Sequence, residues 1–136
     1  MSQSKKYLGL DIGEVRVGVA VADDAVKIAV PYDTIRMDES SFRKDIAELV
    51  TSQNVTTIVV GYPRNQSGDS TAQTEYVLRI AELLEDMDAV VVFQDESLTS
   101  VLAEERIKSR GDEMTKEAID AEAASIILQD YLEMHT

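Results

Sequence analysis

The hydrophobic positions of this chain change their spacing along its length, and each spacing predicts a different kind of element. Near the start, the apolar run from Tyr7 to Ile12 is followed after only Gly13-Glu14-Val15 by a second run, residues 16–22. Two such runs with a short connection predict a β-hairpin. A weaker run lies within residues 29–37, where Pro31 favours an edge strand. The beginning of the chain is therefore expected to form three antiparallel strands.

From Ser41 onward the pattern becomes helical. Apolar residues between Ser41 and Gln53 recur at intervals of three and four, which indicates an amphipathic helix. Two buried strands are expected at residues 57–61 and 89–93, with a second helical pattern between them, and this order predicts a parallel pair joined by a right-handed crossover. Two more helices are expected after these strands, one capped by Ser97 or Thr99 and one starting near Thr115.

Together these elements predict an α/β fold in a single domain covering residues 1–136. Its sheet is mixed and five-stranded, three antiparallel strands followed by two parallel ones, with helices on both faces. The sequence shows neither a signal peptide nor a membrane span, and the absence of cysteine excludes disulfides and thiolate metal sites. We therefore expect a cytoplasmic protein that makes no contact with membranes.

The charge balance is strongly acidic. The chain has 26 Asp and Glu residues against 13 Lys and Arg residues, a formal net charge of -13. A basic footprint normally supplies most of the sequence-independent affinity for nucleic acid, so this balance disfavours nonspecific binding. One small basic cluster, Arg106, Lys108 and Arg110, ends the third helix, where it favours a cap of the helix dipole over a nucleic-acid rim.

Three acidic residues are placed unlike ordinary surface charges. Asp11 lies inside an apolar strand between Gly9 and Gly13, where an unpaired charge would cost several kcal/mol. Glu96 follows the end of the fifth strand, at the edge where ligand sites of open α/β sheets gather. Asp120 is the first residue of a row of apolar positions expected on the sheet-facing side of the last helix. Two alanines in this row would allow the helix to approach the sheet closely.

Convergence of these carboxylates would favour metal binding. Crowded carboxylates repel each other unless cations neutralise them, and oxygen ligands favour Mg²⁺ or Mn²⁺. Two such ions can activate water and stabilise the leaving oxygen of a phosphodiester, which is nuclease chemistry. Arg16 on the hairpin and Arg64 in a glycine-bounded loop, together with Asn65 in the same loop, are the candidates for binding substrate phosphates.

Four segments, in order, resemble the YqgF/RuvX-type proteins: GLDIGEVRVGVA (9–20), VGYPRNQSG (60–68), DESLTS (95–100) and IDAEAASIILQDYL (119–132). The resemblance spans almost the whole chain and implies a ribonuclease H-like fold. It also implies a metal-dependent nuclease that hydrolyses structured RNA, described for the family as processing the 5′ end of pre-16S rRNA in ribosome biogenesis. Holliday junction resolution on branched DNA is one alternative, and a noncatalytic ribosome- or protein-binding module is another.

Residue by residue, the family's acidic positions fall on Asp11, Glu96 and Asp120, as catalytic residues and ligands of two Mg²⁺ or Mn²⁺ ions. The chain departs from the family pattern at two places. Ser97 stands where the family usually has Arg, and Glu14-Val15 replaces a commonly Thr-Lys pair. Both departures remove positive charge beside the site, so they bear on nucleic-acid affinity more than on metal binding.

Overall fold

The computed structural model describes residues 4–63, 71–96 and 99–136. These residues form a sheet with helices packed on it, and the elements alternate along the chain much as the hydrophobic pattern predicts. In chain order they are β1 (Lys6–Ile12), β2 (Arg16–Asp23), β3 (Val30–Arg36), α1 (Phe42–Ser52), β4 (Thr57–Pro63), α2 (Ala72–Ala81) with a 3-10 turn (Glu82–Leu84), β5 (Val90–Glu96), α3 (Thr99–Arg110) and α4 (Lys116–His135).

The sheet has the mixed topology that the sequence predicts. Its strand order is β3-β2-β1-β4-β5. The first three strands pair antiparallel, whereas β4 is parallel to β1 and β5 is parallel to β4. Pro31 lies in β3, which is an edge strand as expected. The carboxyl ends of β1, β4 and β5 therefore meet at one edge of the sheet.

Side chains alternate between two hydrophobic layers, because successive residues of a strand point to opposite faces. One layer joins Leu8, Leu10 and Ile12 of β1 to α1 and α2. The other layer joins Tyr7 of β1 to α4, through Leu128 and neighbouring residues. Fully burying one Leu or Ile side chain contributes about 1.5–3 kcal/mol, so the two layers dominate the stability of the fold. The helices lie on both faces, as predicted.

Helix α4 lies unusually close to the sheet, and glycines make this possible. A Cβ atom at Gly18 would stand 1.9 Å from the backbone carbonyl oxygen of Asp120, and one at Gly9 would stand 2.8 Å from Cβ of Leu128. Any side chain at Gly18 would therefore push the helix away. Helix α3 packs in turn on the outside of α4, where Ala103 contacts Ala123 and Ile126.

Some element boundaries differ from the sequence-based expectation. Glu96 does not follow the fifth strand but is its last residue, because β4 continues to Pro63 and that residue pairs with Glu96. The final helix, expected from its pattern to end near Glu133, continues to His135, whose ring stacks on Tyr131 with the ring centroids 4.4 Å apart. Ser97, a candidate cap for α3, lies outside the described residues. None of the helices in the described ranges is long and apolar enough to cross a membrane.

Candidate active site

The alternation of strand residues brings Asp11 and Glu96 to the same face of the sheet. Asp11 follows Tyr7 at even spacing on β1, and Tyr7 packs toward α4. Glu96 follows Val92 at even spacing on β5, and Val92 belongs to the same layer. Both acids also stand at the carboxyl ends of parallel strands. The two side chains therefore share one face and one edge, separated only by β4.

Gly61 of β4 occupies the space between these two acids. A Cβ atom at this position would lie 2.3 Å from Oε2 of Glu96 and 2.6 Å from Cδ1 of Ile127. Because Gly61 has no side chain, the carboxyl group of Glu96 can lie over β4, beneath α4. A glycine that bounds a loop in the sequence thus makes room in the fold for the carboxyl group of a predicted site residue.

Asp120 reaches the same edge from α4. Its backbone carbonyl lies over Gly18, the residue of β2 that pairs with Asp11 across the antiparallel ladder. Its carboxylate accepts a hydrogen bond from Arg16, with 2.6 Å between Nε and Oδ2. The helical spacing therefore predicted the direction of Asp120 correctly. Arg16, the candidate phosphate contact, is here the ion-pair partner of Asp120.

The surroundings of Asp11 and Glu96 disfavour their ionised forms. Burial, and next the charge of Asp120, raise the pKa of Asp11 to about 6. Burial, and next the charge of Asp11, raise the pKa of Glu96 to about 8. Oε2 of Glu96 is also buried and accepts no hydrogen bond. Two crowded carboxyl groups, one of them with an unsatisfied oxygen, are a favourable environment for a cation.

Helix α2 braces the strand ends that carry the site. The turn after β1 is closed by the Gly13 amide, which donates to the Arg16 carbonyl at 3.0 Å. Gln73 of α2 donates from Nε2 to the Ile12 carbonyl at 3.4 Å. Thr74 donates from its hydroxyl to the carbonyl of Pro63 at the end of β4. Helix α2 therefore holds the backbone just after Asp11 and the end of the neighbouring strand β4.

A buried carboxylate that the sequence reasoning missed joins α3 to α4. Glu122 accepts a hydrogen bond from Nη2 of Arg110 at 2.5 Å, and Nη1 of Arg106 stands 3.8 Å from its other oxygen. Ser125 donates to Glu122 as well, at 3.0 Å. The expectation that these arginines cap the helix dipole is incomplete, because both reach Glu122. The available signal was a single charge inside the buried run from Ala121 to Leu128.

The structure thus brings the three predicted acids to one edge, with one qualification. Within residues 4–63, 71–96 and 99–136, no three His, Cys, Asp or Glu side chains are placed to hold one metal ion together. Asp11 and Glu96 interact with each other, whereas the carboxylate of Asp120 pairs with Arg16. Arg64 and Asn65, the other two candidates for substrate binding, lie outside the described residues.

Comparisons with known proteins identify the family. The family model of RuvX, described as Holliday junction resolvase, matches residues 5–134. This chain belongs to the RuvX family. The resemblance that four sequence segments indicated is therefore confirmed over nearly the full length of the chain.

Several curated relatives of this RuvX-family chain carry the name "Putative pre-16S rRNA nuclease". The relative from Chloroflexus aurantiacus is 41% identical over 130 residues, which cover 93% of this chain and 85% of the relative. The relative from Caldanaerobacter subterraneus subsp. tengcongensis is 40% identical over 136 residues, covering 94% and 96%. The relative from Fusobacterium nucleatum is 35% identical over 137 residues, covering 96% and 98%.

Solved structures agree on the fold. RuvC of T. thermophilus, in complex with a Holliday junction substrate, superimposes with a TM-score of 0.62 at 15% identity, covering 97% of both chains. The Fowlpox virus resolvase, in complex with Holliday junction DNA, gives a TM-score of 0.57 at 11% identity and covers 95% of this chain and 97% of the resolvase. The expected ribonuclease H-like fold of the RuvX-family chain is thereby confirmed.

Proposed function

We propose that this RuvX-family chain is a divalent-metal-dependent nuclease that hydrolyses phosphodiester bonds in structured RNA, trimming the 5′ end of pre-16S rRNA in the cytoplasm. The observation that carries the proposal is the pair of crowded carboxyl groups, Asp11 and Glu96, at the carboxyl edge of parallel strands. The names of the relatives at 35–41% identity support the RNA substrate.

The donor atoms of the site fit Mg²⁺ or Mn²⁺. They are carboxylate oxygens, which are the ligands that these hard cations prefer. Oε2 of Glu96 is buried without a hydrogen-bond donor, so a cation would satisfy an atom that the protein leaves unsatisfied. We assign Asp11, Glu96 and Asp120 as the catalytic residues and metal ligands. Two bound ions would supply activation of the attacking water and stabilisation of the leaving oxygen.

The residues of the chain position the carboxyl groups of the site and supply positive charge for the substrate. Gly61 and Gly18 let Glu96 and α4 approach the sheet, so the carboxyl groups are held by rigid elements rather than by loops. Among the described residues, Arg16 is a cation that lies beside Asp120, and the parallel N–H groups of its guanidinium suit the phosphate oxygens of the RNA. We propose Arg64 and Asn65 as further substrate-binding residues, which would help an acidic protein to bind a polyanion at this one edge.

The test is cleavage of a precursor RNA that carries the 5′ leader of 16S rRNA. Purified protein should shorten the leader with Mg²⁺ or Mn²⁺ and leave it intact in EDTA. The variant Asp11→Asn keeps the shape of the side chain and removes a ligand charge, so it should lower the rate by at least about a hundredfold. The control is Asp88→Asn, which removes one exposed negative charge just before the start of β5, at the end of the strand opposite to Glu96.

The outcomes separate the candidate functions. Equal cleavage by the wild type and Asp11→Asn would refute the assignment of the site. Cleavage of a four-way DNA junction in preference to the RNA would favour the resolvase activity, the alternative that the family description and the RuvC-like fold support. Cleavage of neither substrate, with no heat of Mn²⁺ binding, would favour a noncatalytic binding module.

A further inference from the structure

The contact between Arg16 and Asp120 joins the beginning of β2 to the beginning of α4. Nε of Arg16 donates to Oδ2 of Asp120 at 2.6 Å, and the two side chains are 28% and 25% exposed. Among the described residues, the two terminal nitrogens of this guanidinium have no hydrogen-bond acceptor. The ion pair is therefore partly shielded from water, and about a quarter of each side chain remains exposed.

The backbone that carries Asp120 is fixed independently of this ion pair. Its carbonyl oxygen sits over Gly18, where there is no room for even one more carbon atom. The first turn of α4 is held by its cap, since the Thr115 hydroxyl accepts from the Ala118 amide at 3.0 Å. It is also held from β3, since the Thr34 hydroxyl donates to the Glu117 carbonyl at 2.6 Å. A new partner for Asp120 therefore requires only side-chain rotation.

The position of Arg16 makes it a competitor for the third acid. The charge of Asp11 acts on Glu96, and the charge of Asp120 acts on Asp11. Within the described part of the chain, however, Asp120 does not complete a group of three ligands, and its carboxylate is paired to Arg16. Oδ2 of Asp120 cannot offer a metal the lone pair that accepts this 2.6 Å hydrogen bond, and the guanidinium charge beside the carboxylate opposes the approach of a second cation.

We propose that Arg16 is a displaceable counter-cation, which holds Asp120 in the metal-free protein and exchanges it for the metal when the site is loaded. Loading then frees the guanidinium fork to bind a phosphate oxygen of the RNA. This inference rests on the proposed nuclease function and adds a positioning role for Arg16. Its consequence is linkage: metal binding favours phosphate binding, and by reciprocity a bound phosphate favours the metal.

The test is a calorimetric titration with Mn²⁺ on the folded, metal-free protein, combined with steady-state cleavage of the precursor RNA. In Arg16→Gln the competitor is gone, so Mn²⁺ should bind about fivefold to tenfold more tightly. The KM for RNA should rise by about tenfold in the same variant, because the freed fork is missing. A residue with a merely structural role would weaken both properties together.

Two control variants separate the ion pair from general charge. Arg36 pairs with Arg16 in the β2–β3 ladder, is exposed and has no charged partner among the described residues, so Arg36→Gln removes the same charge without touching Asp120. Its Mn²⁺ affinity should stay within about twofold of the wild type. Arg16→Lys keeps a charge beside Asp120 and should return the Mn²⁺ affinity toward the wild-type value. Its KM for RNA should lie between the values of Arg16→Gln and the wild type.

Each outcome decides one claim. Mn²⁺ binding to Arg16→Gln that is equal to or weaker than that of the wild type would overturn the exchange of Asp120. An equal gain in Arg36→Gln would overturn it as well, because long-range charge alone would then explain the effect. An unchanged KM in Arg16→Gln would overturn the release of the fork to phosphate. If the wild-type protein binds no Mn²⁺ at all, the proposed function itself fails, and this inference fails with it.

Discussion

Replacing the half-buried carboxylate Asp11 by asparagine should make the metal-free protein more stable, although it removes a group that we propose to be catalytic. Both raised pKa values mean that the folded chain holds protons which an unfolded chain has already released. The free energy of unfolding therefore falls as the pH rises, from the ordinary carboxyl pKa near 4 up to the folded values of about 6 and 8. Asp11→Asn removes the Asp11 part of this penalty.

The size of the effect follows from the pKa. A change of one unit corresponds to about 1.4 kcal/mol, so ionising Asp11 against a folded pKa of about 6 rather than 3.8 costs about 3 kcal/mol at pH 8. At pH 5 the same relation gives about half of that value. Because the side chain keeps some contact with water, we expect Asp11→Asn to raise the free energy of unfolding by about 1–3 kcal/mol at pH 8.

The assay is urea unfolding in EDTA at pH 5 and pH 8, followed by far-UV circular dichroism. Asp88→Asn is the control for a simple reduction of net charge, and it should change the free energy of unfolding by less than about 0.5 kcal/mol. Excess Mn²⁺ should stabilise the wild type much more than Asp11→Asn, because only the wild type retains all three proposed ligands. A loss of stability in Asp11→Asn at pH 8 in EDTA would refute the reasoning.

Three further changes test the packing around the site. Glu122→Ala leaves two arginines of α3 without their buried partner and should lower the free energy of unfolding by about 2–3 kcal/mol in urea, whereas Glu122→Gln should cost less. Gly18→Ala should lower the free energy of unfolding by more than about 2 kcal/mol and weaken Mn²⁺ binding, because α4 must move. The control is Gly111→Ala, at a residue with φ of +77° and free space around it. This substitution should lower the free energy of unfolding by about 1 kcal/mol and leave Mn²⁺ binding unchanged. Thr115→Ala removes the N-cap of α4 and should lower the melting temperature by an amount equivalent to about 1 kcal/mol; an unchanged melting temperature would contradict that role for the cap.

The sheet could be predicted well from the sequence, because its strands carry uninterrupted apolar runs or regular alternation. The prediction that Asp120 faces the sheet also succeeded, since Ala124 and Ile127, four and seven positions later on the same side of the helix, pack against the sheet. The end of β5 was predicted too early. A strand continues for as long as its neighbour pairs with it, and the extension of β4 to Pro63 depends on a ladder that no single segment reveals.

The partners of the charged residues could not be predicted. Arg16 and Asp120 are 104 positions apart, and either one alone looks like a residue that meets solvent or substrate. Glu122 was missed for a different reason. Helix α4 is enclosed by the sheet on one side and α3 on the other, so every residue from Ala121 to Leu128 is buried. Reading burial from amphipathic periodicity assumes that one face of the helix is exposed to solvent, and this assumption fails for an enclosed helix.

The close packing of α4 on the first hairpin restricts which chimeras of homologous chains can fold. Gly9 and Gly18 near the start of the chain and Asp120 and Leu128 near its end form one steric unit. A chimera that takes α4 from a relative with bulkier residues in this contact would need matching strands from the same donor. A chimera of two homologues should therefore fold only when the first hairpin and α4 come from the same parent.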